Sequence, residues 1–113
     1  MRYRKMKFKQ EYLKLLKLGR KRTTIRMEKK YRLGEVVYIA DTNGKIYGKA
    51  LIEDVKVKRL MDLSDSDAVI DGFKNLADLL ITLKDIYGDI PRDQKLYIFS
   101  LKILNWSRDP LKE

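Results

Sequence analysis

The chain has 113 residues, 44% of them hydrophobic, with 26 Lys and Arg against 16 Asp and Glu and a net charge of +10. That length suits one domain around one packed core and is too short for two ordinary ones. Histidine and cysteine are both absent, which excludes disulfides, thiolate or imidazole zinc sites, a cysteine nucleophile and a Ser-His-Asp hydrolase.

In chain order, the basic start MRYRKMKFK has neither an apolar signal-peptide core nor a small-residue cleavage site, so export is not expected and the cytoplasm is the default location. Lys or Arg interrupts every apolar run before it reaches the roughly 18 residues a bilayer span needs, so no membrane association is expected. Met6 and Phe8 alternate with Lys5, Lys7 and Lys9, the period of a short strand with one buried face. From about Gln10, Tyr12, Leu13, Leu15, Leu16 and Leu18 make an apolar stripe on a short helix, and Gly19 is placed to end it in a left-handed conformation. Thr23, Thr24 and Ile25 are β-branched and return the chain to an extended form. Val36–Ala40 reads as a buried strand and Lys45–Val57 as a long alternating one. Between them, Asp41-Thr42-Asn43-Gly44 predicts a turn, with Asn43-Gly44 supplying the positive φ angles of a two-residue hairpin. Ser64 to Ile70 predicts a short helix. Leu76, Leu79, Leu80, Leu83, Ile86 and Tyr87 then repeat at helical spacing until Gly88, a face assigned to core packing. Leu96–Leu104 returns to a β pattern as the last strand, and Pro110 with the charged final residues reads as a frayed tail. Strands interrupted by helical inserts define a small α+β domain with a curled or closed sheet. Its core spans about residues 7–106, with a basic segment at 1–6 and the tail at 107–113.

The charge is unevenly placed. From Arg2 to Arg32 the cations crowd together, opposed only by Glu11 and Glu28, with Glu35 following. Between Asp62 and Asp93 the balance reverses: Asp65, Asp67, Asp71, Asp78, Asp85 and Asp89 stand against Lys74, Lys84 and Arg92. Such a bipolar chain attracts a polyanion to one side, and counterion release from a nucleic-acid backbone would supply affinity. The competing interpretation is a solvated, heavily charged surface of the thermophilic kind.

The segment Gly19-Arg20-Lys21-Arg22-Thr23-Thr24-Ile25-Arg26 resembles the G-x-K-x-x-T-x-R signature of the ASCH family. Leu33-Gly34-Glu35-Val36-Val37 is similar to the family's approach to its next strand, and Asp71-Gly72-Phe73 resembles its acidic-Gly-Phe element. The resemblance runs from Lys7 to Trp106 and is to a small, archaeal-type, single-domain member. It implies a PUA-like fold, a closed or nearly closed β-barrel with short helices inserted. It also implies a basic cleft for RNA or a modified nucleoside.

The residue chemistry suits such a cleft. Gly19 allows a tight turn, Arg26 offers a planar fork for phosphate or a base edge, Lys21 is a compact charge that loses its proton if desolvated, and Thr24 both donates and accepts. The expected binding set is Gly19, Arg20, Lys21, Arg22, Thr24, Arg26, Lys29, Lys30 and Tyr31, with Tyr31 the stacking candidate and single-stranded RNA or a modified nucleoside the partner. Other interpretations are that Gly19 is only a helix cap, Thr24 only a β-former, Asp71 a turn or helix-terminal residue, Tyr31 a buried core residue and the cations only solvated. Some relatives are amidohydrolases acting on acylated cytidine, and the resemblance would carry their catalytic set onto Lys21, Thr24 and Asp71. Those relatives have Glu where this chain has the shorter Asp71. Cleavage of single-stranded RNA is a further activity found among relatives. Glu53 and Asp54 are strand neighbours pointing to opposite faces and cannot chelate together, so no metal is expected. Neither is a cofactor, and a monomer is the default.

Overall fold

The computed structural model describes residues 2–107. In chain order these form β1 (Arg4–Lys7), α1 (Gln10–Leu18), β2 (Thr23–Arg26), β3 (Val36–Ala40), β4 (Ile46–Arg59), a 3-10 turn (Leu60–Asp62), α2 (Asp65–Ile70), α3 (Leu76–Tyr87) and β5 (Lys95–Trp106). Each strand and helix read from periodicity is present. No helix among the described residues is long and apolar enough to cross a membrane.

The long antiparallel pair β4 and β5 is the spine of a five-stranded sheet in the order β1-β3-β4-β5-β2. Register shifts leave Leu104 of β5 unpaired opposite Lys49 and Ala50, and Glu53 of β4 unpaired between Ile52 and Asp54; bulges of this kind bend a strand and raise its local twist. The sheet curls without closing. Its ladder ends at β1 and β2, so the barrel expected from the sequence is realised as an open one.

Side chains partly stitch this seam. Phe8 N–H bonds to the Ala40 carbonyl at 2.9 Å, so strand alternation turns the Lys5 and Lys7 carbonyls toward the open edge. Tyr31 Oη donates to Lys5 O at 2.9 Å, and Arg26 Nη2 to Lys7 O at 3.0 Å. Part of the segment expected to lie outside the core therefore belongs to it: Arg4–Lys7 pair in parallel with β3, and Met6 is fully buried. The tail expected at 107–113 lies, after Ser107, outside the described residues.

Strand parity divides the core. Along β5, Phe99 and Leu101 join Met6, Leu13, Leu16 and Ile39 in one cluster, which α1 enters. Leu96 and Ile98 join Ile25, Ala68, Leu79 and Leu83 in another, beneath α2 and α3. Helix α1 ends as expected, with Gly19 at φ 76 and Arg20 N–H returning to Leu15 O at 2.9 Å. Leu18, counted in the stripe, is 67% exposed because it falls off the buried face of Leu13 and Leu16.

The β3–β4 hairpin pairs from Val36↔Leu51 to Ala40↔Ile46, but its turn differs from the two-residue form. Gly44 N–H bonds to Asp41 O at 3.0 Å, and Asp41 N–H to Lys45 O at 2.9 Å, leaving a three-residue loop. Only Gly44 has positive φ, at 88°. Asp41 decides this: its buried carboxylate accepts the Asn43 and Lys45 N–H groups at 2.9 Å each, bending the chain one residue earlier.

Candidate functional site

A pocket of about 200 Å³ lies where the sheet fails to close, between the end of β1, strand β2, the Asp71-Gly72-Phe73 link and helix α3. The Gly19 cap ends α1 and releases the chain toward Lys21. Backbone bonds from Arg22 N to Ile70 O (2.9 Å) and from Leu101 N to Arg22 O (2.8 Å) then tie the segment between α2 and β5. Gly72, at φ 96, lets the link approach closely, since a Cβ there would lie 3.2 Å from Leu15 Cδ1 and 3.3 Å from Lys21 Cβ. These contacts carry Asp71 from the acidic part of the sequence to the basic motif.

Lys21 Nζ lies 3.2 Å from Asp71 Oδ1 and donates to the Asp71 carbonyl at 3.1 Å. Thr23 Oγ donates to the same Oδ1 at 2.8 Å. All three residues are buried, and the ammonium also sits 5.3 Å from the centre of the Tyr12 ring. Burial lowers the Lys21 pKa from its ordinary 10.5 and raises that of Asp71 from 3.8, while their mutual attraction opposes both shifts. Asp71 lines the pocket although its side chain is only 5% exposed. Arg26 Nε donates to Thr24 Oγ at 3.0 Å, and its guanidinium lies 5.2 Å from the Phe8 ring centre. Apolar walls come from Phe8, Tyr12, Phe73, Leu79, Leu83 and Ile86, with exposed Lys7 and Lys9 beside them.

Lys21, Thr24, Arg26 and Asp71, all singled out in the sequence, thus line one pocket. Strand alternation separates them by face: Lys21 and Thr23 meet Asp71, whereas Thr24 and Arg26 bond to each other, and the pocket reaches both because β2 is an edge. Gly19, Arg20, Arg22 and Lys29 are exposed and do not line it. Lys30 lines a neighbouring cavity of about 140 Å³.

Of the two roles open to Tyr31, stacking and burial, the structure shows burial and corrects the choice of it as the stacking residue. It is 8% exposed, packs edge-on against Phe99 with ring centres 5.7 Å apart, and spends its hydroxyl on Lys5 O. An aromatic amid cations marks stacking only where its faces are free, and this ring fills the core. The α3 stripe departs from its assignment in the other direction. Leu79 and Leu83 are core, but Ile86 and Tyr87 are 49% and 38% exposed, and all four also line the pocket. Thr23 has no signal in the sequence beyond its strand propensity. Among the described residues no three acidic side chains gather as a metal site would need.

Neither the protein-family models nor the curated proteins contain a match to this sequence. Solved structures do match in three dimensions. An ASCH domain from Lactobacillus crispatus superposes with a TM-score of 0.77 at 16% identity, covering 90% of this chain and 79% of that one. A protein from Enterococcus faecalis, of a domain family without assigned function, gives 0.76 at 16% identity over 96% of this chain and 84% of its own. A mutant ASCH protein from Zymomonas mobilis gives 0.64 at 18% identity over 87% and 66%. The chain has the ASCH-domain fold, an α+β architecture with a curled, half-barrel sheet.

Proposed function

We propose that this chain is an RNA-binding domain that seats one base, plain or modified, in the seam pocket. The observation that carries this reading is the convergence of three polar side chains from residues 21–26 with Asp71, from the other half of the sequence, in one aromatic-walled recess. Lys21 and Asp71 are held as a buried pair, Thr24 and Arg26 as a hydrogen-bonded pair, and Lys7 and Lys9 stand beside the opening. A base would lie against the apolar wall that Phe8, Tyr12 and Phe73 form, its polar edge toward Asp71 and Arg26, while the cations beside the opening hold the phosphate backbone. Calorimetric titration with ribonucleosides, N4-acetylcytidine and short single-stranded RNA tests it. Binding that Arg26→Ala weakens at least tenfold supports the reading; no binding to any of these ligands, or binding indifferent to Arg26→Ala and Asp71→Asn, overturns it.

A second reading, amide hydrolysis, draws on the presence of Lys21, Thr24 and Asp71 in the same pocket and on the downward pull of burial on Lys21. In that chemistry Thr24 Oγ attacks the acyl carbon of an N4-acylated cytidine and neutral Lys21 takes the hydroxyl proton. The C–N bond breaks as that proton passes to the leaving nitrogen, and water then cleaves the threonyl ester to the free acid. Thr24 Oγ is bonded to Arg26 and Lys21 to Asp71, so the ligand would have to bring Thr24 and Lys21 together. Release of cytidine from N4-acetylcytidine, abolished by Thr24→Val, would establish it; intact ligand after prolonged incubation would eliminate it.

A further inference from the structure

The seam pocket does not end at its own walls. Arg26 and Tyr87 line both it and the adjoining cavity of about 140 Å³, whose other walls are Met27, Glu28, Lys30 and Tyr31. Arg26 is anchored on two sides, Nε on Thr24 and Nη2 on Lys7 O, which fixes the plane of the guanidinium. Its Nη1 makes no hydrogen bond within the described residues and is solvent-accessible. An immobilised, always-charged fork with a free donor, set between two recesses, is what a bridging phosphodiester requires. Tyr87 is 38% exposed at the same junction.

We infer that the site takes a two-nucleotide step of single-stranded RNA: one base in the seam pocket, the linking phosphate on Arg26, and the next nucleotide against Tyr87 and Met27 in the smaller cavity. This rests on the reading of the seam pocket as a base seat. The smaller cavity has the mixed character such a neighbour needs, with an aromatic and a thioether surface beside one cation. Lys30 and Glu28 face each other at 3.8 Å, both largely exposed, so the charge of Glu28 partly cancels that of Lys30 where a second phosphate would pass. Glu28 is therefore expected to limit affinity for strands and to leave single nucleosides unaffected.

The experiment compares ribonucleosides, their 3′- and 5′-monophosphates and the corresponding dinucleoside monophosphates by calorimetry on the full chain. At least one dinucleotide should bind ten times more tightly than its nucleosides. Glu28→Gln should raise dinucleotide affinity about threefold with nucleoside affinity unchanged, and Lys30→Ala should lower dinucleotide affinity; each side chain is exposed, so the fold is retained. Dinucleotides within twofold of nucleosides, a monophosphate that recovers the whole gain, or a ratio unmoved by both substitutions would overturn the two-nucleotide seat while leaving the base pocket intact. Absence of binding by every ligand would overturn the base pocket as well.

Discussion

Lys21 and Asp71 share a site from which water is nearly excluded, so each charge depends on the other and on the hydroxyl of Thr23. Taking two charges out of water costs several kcal/mol per ion in real proteins, and removing one partner strands the other, typically at about 3–5 kcal/mol. Lys21→Ala is expected to destabilise the fold by about that amount, read as a lowered urea midpoint. Thr23→Val should cost less, about 1–3 kcal/mol, because it leaves Asp71 its lysine. The pH dependence has a definite sign. With Asp71 raised above 3.8 by burial, the folded chain holds a proton that the unfolded chain has released, so this group's contribution falls as pH rises above 3.8. Lys21, lowered from 10.5 by burial, acts oppositely: the unfolded chain binds more protons, and stability rises as pH climbs toward 10.5. Asp71→Asn should flatten the first of these slopes in urea titrations from pH 3 to 7; an unchanged slope would mean that the fall arises elsewhere. Lys21, Thr24 and Arg26 were legible because their chemistry and spacing stand out from a strand, and Asp71 only through the resemblance of Asp71-Gly72-Phe73 to the family's acidic-Gly-Phe element. Thr23 was not: beside a second threonine it reads only as a strand former, and its role depends on a partner 48 residues away.

The β3–β4 hairpin separates what local sequence settles from what it leaves open. Two alternating apolar runs about Asn-Gly predict the pairing, but turn type is decided by which side chain captures the loop N–H groups, and here Asp41 does so from a position the Asn-Gly rule ignores. The consequence is a contrast at adjacent residues. Asn43 has negative φ, so Asn43→Ala should change stability by no more than about 0.5 kcal/mol. Gly44→Ala places a side chain in left-handed backbone and should cost about 1–2 kcal/mol. Equal losses at both positions would restore the two-residue turn. The open seam was less legible still, because closure depends on long-range hydrogen bonds that no periodicity encodes. Lys5 and Lys7 look like solvent-facing strand residues, yet their carbonyls are bound by Tyr31 and Arg26. Tyr31→Phe keeps the ring on Phe99 and removes only the donor to Lys5 O, so a loss of about 0.5–1.5 kcal/mol is expected. Faster amide exchange confined to β1 and its β3 neighbours should accompany it; exchange spread evenly over the sheet would show that the hydroxyl does not secure the edge.

At the scale of the molecule, folding draws on the two halves of opposite charge unequally. Part of the acidic segment is consumed internally: Asp71 meets Lys21, Asp67 meets Lys58 at 2.9 Å and Asp62 meets Arg59 at 2.7 Å. The N-terminal cations are less neutralised. Lys7, Lys9, Arg20, Arg22 and Lys29 form no ion pair among the described residues, and only Lys7 and Lys9 line the seam pocket. This division allows a test of whether the net charge of +10 acts as a general field or through particular contacts. Each phosphate neutralised on a single strand contributes about 0.7 to the slope of log affinity against log salt. If a strand lies across the pocket, neutralising Lys7 and Lys9 together should reduce the slope by up to about 1.4, two contacts' worth. Neutralising Arg20, Arg22 and Lys29 together should weaken binding at low salt and change the slope less, because these side chains do not line the pocket and act through the screened field rather than on a seated phosphate. Fluorescence anisotropy of a labelled oligoribonucleotide between 50 and about 300 mM salt distinguishes the two sets. A larger slope change from the arginine set would move the strand away from the seam, onto the surface at the end of α1, and with it the path by which RNA enters the pocket.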